Sequence, residues 1–113
     1  MVLRRTGPVN APPLPARRRR WQTRPMLYMV VERYRGSAED IYRRLRERGR
    51  QMPDGLEYVA SWVTTDLSLC YQLMRTEDRA LFDPWVAAWS DLVEFEIRPV
   101  QTSADAAAAA ARP

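Results

Sequence analysis

Two hydrophobic periods alternate along residues 26–100, and that alternation constrains this chain more than any single motif. Met26–Tyr34, Leu56–Thr64, Leu67–Thr76 and Val93–Val100 are runs rich in β-branched and aromatic residues and read as strands. Ser37–Gln51 and Asp78–Asp91 carry the helical period between them. The resulting order, β-α-β-β-α-β, predicts an α+β fold. Specifically, it predicts a ferredoxin-like sandwich, a four-stranded antiparallel sheet with two helices on one face. The other face of such a sheet is left without cover, so the architecture raises the question of a partner.

Local chemistry agrees with these assignments. Ser37 is suited to cap the first helix, and Glu39 and Asp40 put negative charge on its first turn. Ile41 and Leu45 form its apolar stripe, with Tyr42 beside them, while the arginines from Arg43 to Arg50 cover the solvent side. Pro53-Asp54-Gly55 is a turn into the second strand, and Thr65-Asp66 is a tight link that makes the second and third strands a hairpin. In the second helix Leu81, Trp85, Trp89 and Leu92 follow helical spacing and read as core. Pro84 moves its regular start toward Asp83.

What the chain lacks excludes much chemistry. It has no histidine and no lysine, so all 18 basic residues are arginine. That removes the imidazole base, Ser-His and Cys-His nucleophiles and Schiff-base lysines. A single cysteine, Cys70, excludes an internal disulfide and thiolate-rich metal sites. Any catalysis would rest on carboxylates, Arg, Tyr or Cys70, or on a bound cofactor. Cys70 itself reads as a small buried hydrophobe. No run reaches the roughly 18 apolar residues of a membrane helix, and a cytoplasmic location is expected.

The net charge of +4 is unevenly spread. Residues 1–25 hold seven arginines and no acid, whereas residues 26–100 hold ten arginines against thirteen acids, a net −3. The Pro- and Arg-rich segment 1–25 is expected to be disordered. It is open to three readings: nucleic-acid or anionic-surface binding through Arg17–Arg20, a targeting peptide, or translation that begins at Met26 so that the segment is absent. The Arg4-Arg5 pair lacks the apolar stretch a secretory signal needs. Residues 101–113, with Ala106–Ala111, read as a disordered Ala-rich tail.

Strand alternation supplies the candidate site. In the fourth strand Val93, Phe95 and Ile97 oppose Glu94, Glu96 and Arg98, and the apolar set is expected against the helices. The first strand is apolar on both faces. Tyr28, Val30 and Glu32 are assigned to the open face with Cys70, Gln72 and Met74 of the third strand. That face, completed by Glu94, Glu96 and Arg98, suits a dimer interface enclosing a cavity. Glu32 is expected near Glu94, and Tyr28 near Arg98. Two carboxylates so placed would raise one pKa and allow proton transfer, whereas pairing with Arg98 or Arg33 would make them structural instead.

The strings MLYMVVERY, MPDGLEYVASW, CYQLMRT and LFDPWVAAWSDLVEFEIRPV resemble a bacterial family of unknown function within the dimeric α/β-barrel group. The resemblance covers residues 26–100. It implies a ferredoxin-like protomer whose sheet packs on that of a second copy, a dimeric α/β barrel. The wider group includes cofactor-free monooxygenases, muconolactone isomerase-like enzymes, chlorite dismutase-like haem proteins and stress-induced proteins. The absence of histidine removes the usual axial ligand of the haem-binding branch. No cofactor is expected, and the resemblance implies that any catalysis would be cofactor-free monooxygenase or isomerase-like chemistry.

Three function classes follow. The first is a homodimeric barrel binding a small apolar or aromatic molecule between its sheets. The second is a non-catalytic dimeric module, structural or stress-related. The third, RNA binding, needs aromatic and glycine residues in the third strand, but Leu69–Arg75 offers only Tyr71 and no glycine. In a net-acidic domain, nucleic acid is a poor fit outside the arginine tail.

Overall fold

The computed structural model describes residues 25–112, so the N-terminal segment expected to be disordered lies outside the described residues except for Pro25. The elements are β1 (Met26–Tyr34), α1 (Ala38–Arg48), β2 (Leu56–Val63), β3 (Leu69–Thr76), a 3₁₀ turn (Arg79–Leu81), α2 (Phe82–Trp89), β4 (Val93–Val100) and α3 (Ser103–Ala110). The fold is α+β, with three helices and one open, four-stranded antiparallel sheet in the order β2-β3-β1-β4. β1 lies between β3 and β4 and pairs with both along its whole length.

Helix boundaries follow from capping chemistry. The Ser37 hydroxyl accepts from the Asp40 amide at 3.2 Å and starts α1. Gly49, at φ 70°, ends it with its amide donating to the Leu45 carbonyl at 2.9 Å. The second helical region is split. Asp78 caps a 3₁₀ turn by accepting from the Ala80 amide at 3.0 Å, and the regular helix begins at Phe82, leaving Pro84 in its first turn. Arg44 ties α1 to the end of α2: its two terminal nitrogens donate to the two Asp91 carboxylate oxygens at 2.7 and 2.6 Å, and one also reaches the Ala88 carbonyl.

Gly55 opens β2 at φ 94°, and a Cβ there would stand 2.9 Å from the Leu81 side chain. Leu81 can swing aside, so the backbone conformation dominates. Gly55→Ala is expected to destabilise by about 1–2 kcal/mol, read as a lowered urea midpoint at unchanged slope.

The core lies between α1, α2 and one face of the sheet. Tyr28, Val30, Met74, Phe82, Trp85 and Val93 are buried there, with Tyr28 edge-on to Phe82 at 5.1 Å and Trp85 edge-on to Phe95 at 5.0 Å. This corrects the assignment of strand faces. β4 behaves as its alternation predicts, with Val93, Phe95 and Ile97 toward the helices. Glu32, however, pairs directly with Phe95, Val30 with Ile97 and Tyr28 with Pro99. Directly paired residues share a face, so Tyr28, Val30 and Glu32 lie under the helices. Their β3 partners Met74, Gln72 and Cys70 lie there too. Glu94, Glu96 and Arg98 pair with Arg33, Val31 and Met29 on the opposite face, so Glu32 is not beside Glu94, nor Tyr28 beside Arg98. Glu96 and Arg98 form an ion pair with each other.

A register shift in β2 moves further residues. Tyr58 pairs with Met74 and Ala60 with the next residue, Leu73, leaving Val59 as an extra residue. Beyond it Ser61 and Val63 turn toward the helices, while Ala60 and Trp62 turn to the open face. Trp62, 56% exposed, and Tyr71, 38% exposed, stand there with Met29, Val31 and Leu73. The open face is therefore more apolar than the alternation predicts.

Residues 101–113 also differ from expectation. Instead of a frayed tail, Ser103–Ala110 forms α3, because alanine has the best helix propensity and the Thr102 hydroxyl accepts from the Asp105 amide at 3.0 Å.

Candidate functional site

The segment that follows α1 shapes a cavity of about 110 Å³ between the sheet and the helices. After Gly49 turns the chain, the Arg50 carbonyl accepts from the indole N–H of Trp85 at 3.2 Å and of Trp89 at 3.0 Å. Both indoles are thus satisfied, and their ring carbons remain as apolar surface. The Arg50 guanidinium turns toward β2 and β3. It stacks over Tyr58 at 3.7 Å from the ring centroid and reaches the Gln72 side-chain oxygen at 3.5 Å, the long end of hydrogen bonding. Tyr58 is held in place by a 2.7 Å hydroxyl–hydroxyl bond to Ser61, a contact that the extra residue in β2 makes possible.

Glu32 enters from the sheet. It is 8% exposed, and its Oε2 has no hydrogen-bond partner. Burial pushes its carboxyl from the ordinary 4.5 up to about 7, with the nearby Arg50 charge opposing the rise. A buried carboxyl with an unpartnered oxygen is expensive to maintain for stability alone. Around neutral pH it exists both as an acid that can donate and as a base that can accept, which is the property a proton-transfer or ligand-binding group needs. Its neighbours do not share that poise. Burial, with a smaller contribution from Glu32, pushes the Cys70 thiol up to about 11, so it stays protonated and is a poor nucleophile. Burial likewise drives the Tyr34 phenol above its ordinary range, with the negative forms of Cys70, Tyr42 and Glu32 adding to the rise.

Comparison with known proteins supplies the family. A model described as Domain of unknown function (DUF3303) matches residues 26–113. The chain belongs to this family. No curated protein and no solved structure matches it. The match extends past β4 and takes in α3, so the Ala-rich helix is part of the DUF3303 domain.

Three of the residues singled out from sequence, Glu32, Cys70 and Gln72, line this cavity. Tyr28, Val30 and Met74 lie on the same covered face but pack into the core. Glu94, Glu96 and Arg98 are on the other side of the sheet. Sequence reasoning missed Arg50, Tyr34 and Tyr42, which also line the cavity. Arg50 looked like one more solvent-facing arginine of α1; the signal against that was Gly49, which ends the helix one residue earlier. Trp85 and Trp89 are core as expected and also form a wall of the cavity. No cluster of three metal-ligating side chains occurs among the described residues of the DUF3303 domain, and no described helix is long and apolar enough to cross a membrane.

Proposed function

We propose that this chain is a homodimeric protein of ferredoxin-like, α/β-barrel type that binds a small molecule with an apolar or aromatic body. The binding site in this reading is the cavity between each protomer's own sheet and helices, not the space between two sheets. One observation carries it: a buried carboxyl with an unpartnered oxygen sits in a cavity walled by Trp85, Trp89 and Phe95. At about 110 Å³ the cavity is smaller than the roughly 150 Å³ apolar cavity that holds benzene, so the occupant is at most one ring. The dimer part rests on the open face, where Trp62 and Tyr71 stand with Met29, Val31 and Leu73 as an apolar patch that a second sheet would cover. The same patch favours a second reading, an interaction module in which the face is the functional surface.

Native mass spectrometry tests both parts. A dimer is expected, with Trp62→Arg shifting it to monomer, and small-molecule adducts expected at up to one per protomer. A wild-type monomer at tens of micromolar would remove the dimer. A dimer that takes up no single-ring compound at millimolar concentration would leave the interaction module as the better reading.

A further inference from the structure

Among the described residues the cavity holds one permanent cation, Arg50, that forms no ion pair; the nearest acid is Glu32, which feels its charge without a salt bridge. Arg50 takes part in none of the ion pairs among the described residues; those are formed by Arg43, Arg44, Arg75 and Arg98. Its guanidinium meets only the Tyr58 ring and the amide oxygen of Gln72. Among the described residues Glu32 is the only carboxylate side chain lining the cavity, and no hydrogen bond or ion pair joins it to Arg50. A bound molecule that displaces water from this wall must compensate the guanidinium, because burying a cation without a counter-charge is costly.

Resting on the cavity-binding reading above, we infer that the ligand is a one-ring organic acid, a benzoate-like anion. Its ring lies against Trp85, Trp89 and Phe95, and its carboxylate is shared between the Arg50 guanidinium and the protonated carboxyl of Glu32. An amine would meet Arg50 as a like charge and would require Glu32 to be ionised in a buried place. A neutral alcohol would leave the guanidinium covered and unmatched. An acid satisfies both groups, taking N–H donors from Arg50 and an O–H donor from Glu32.

Proton uptake follows. The titratable or charged groups facing Glu32 are Tyr34 on its own strand, Cys70 on β3, Tyr42 on α1 and Arg50 after α1. β2, β4 and α2 contribute only Ser61, Val63, Val93, Phe95, Trp85 and Trp89 to the cavity, none of them titratable. The carboxyl of Glu32 is half protonated near pH 7 in the empty cavity, and a bound anion holds the proton on it. Binding at pH 7 therefore takes up about half a proton, and affinity falls by up to about tenfold per pH unit above that point.

Isothermal titration calorimetry on the full chain, with benzoate, benzyl alcohol and benzylamine as probes, tests this. Expected are benzoate binding at pH 6 at least tenfold tighter than either other probe and weaker binding at pH 8. Proton uptake should appear between two buffers of different ionisation enthalpy. Arg50→Gln should abolish benzoate binding, and Glu32→Gln should flatten the pH dependence. The wild-type comparison of three probes stands even if a variant fails to fold. Benzylamine or benzyl alcohol binding as tightly as benzoate would overturn the acid assignment and keep the cavity as a binding site. Failure of all three probes at millimolar concentration would overturn both.

Discussion

Between pH 4.5 and 8 the wild-type protein is expected to lose about 3 kcal/mol of stability relative to Glu32→Gln. The cause is the displaced titration of one buried carboxyl, raised from the ordinary 4.5 to about 7 in the folded state. Below pH 4.5 Glu32 holds its proton whether the chain is folded or unfolded, and it imposes no penalty. As pH rises toward 7 the unfolded chain releases that proton while the folded chain keeps it, so stability falls. Above 7 both states are ionised and the slope disappears. Glutamine does not titrate, and every other group is common to both proteins, so the difference between their pH profiles isolates Glu32. Urea unfolding at fixed protein concentration across that range measures it. A constant difference between the two proteins would mean that water reaches the carboxyl and that the cavity does not desolvate it.

Trp85→Ala is expected to cost about 3–5 kcal/mol, the range for deleting a large buried aromatic. Trp85 is 4% exposed, packs edge-on to Phe95 and lies within 6.1 Å of the Phe82 ring. Its removal also leaves the Arg50 carbonyl with one indole donor in place of two. Trp85→Phe separates the two contributions: it keeps a ring in place and loses the donor, and should cost about 1–2 kcal/mol. Chemical denaturation of the three proteins gives the values. A Trp85→Ala cost below about 1.5 kcal/mol would show that the helices close over the vacancy and that the cavity wall is not rigid.

Much of the architecture was legible because short-range chemistry specifies it. The bounds of β1 and β4 follow directly from their apolar runs, and Ser37 marks the start of α1 through capping, whereas Gly49 ends that helix at Arg48, short of the expected Gln51. The candidate site was only partly legible. Glu32, Cys70 and Gln72 were recognised as sharing one face, since strand alternation and antiparallel pairing make them neighbours. The side of the sheet on which they lie was not, because β1 carries Tyr28 and Val30 on one face and Leu27, Met29 and Val31 on the other. Hydrophobic pattern alone does not choose between two apolar faces.

The sequence by itself determined the identity and order of the elements through β4, the absence of histidine and lysine chemistry, and the segregation of charge into the N-terminal segment. These depend on composition and on contacts a few residues apart. Only the tertiary structure decided that Glu32 lies opposite Phe95 and so beneath the helices, and that an extra residue at Val59 turns Trp62 outward. It alone brought Arg50 across to Tyr58 and Gln72. Each of those outcomes depends on register between strands or on a loop crossing to another element. One residue of slip in a strand exchanges its two faces, and nothing local in the chain records which register the packed core selects.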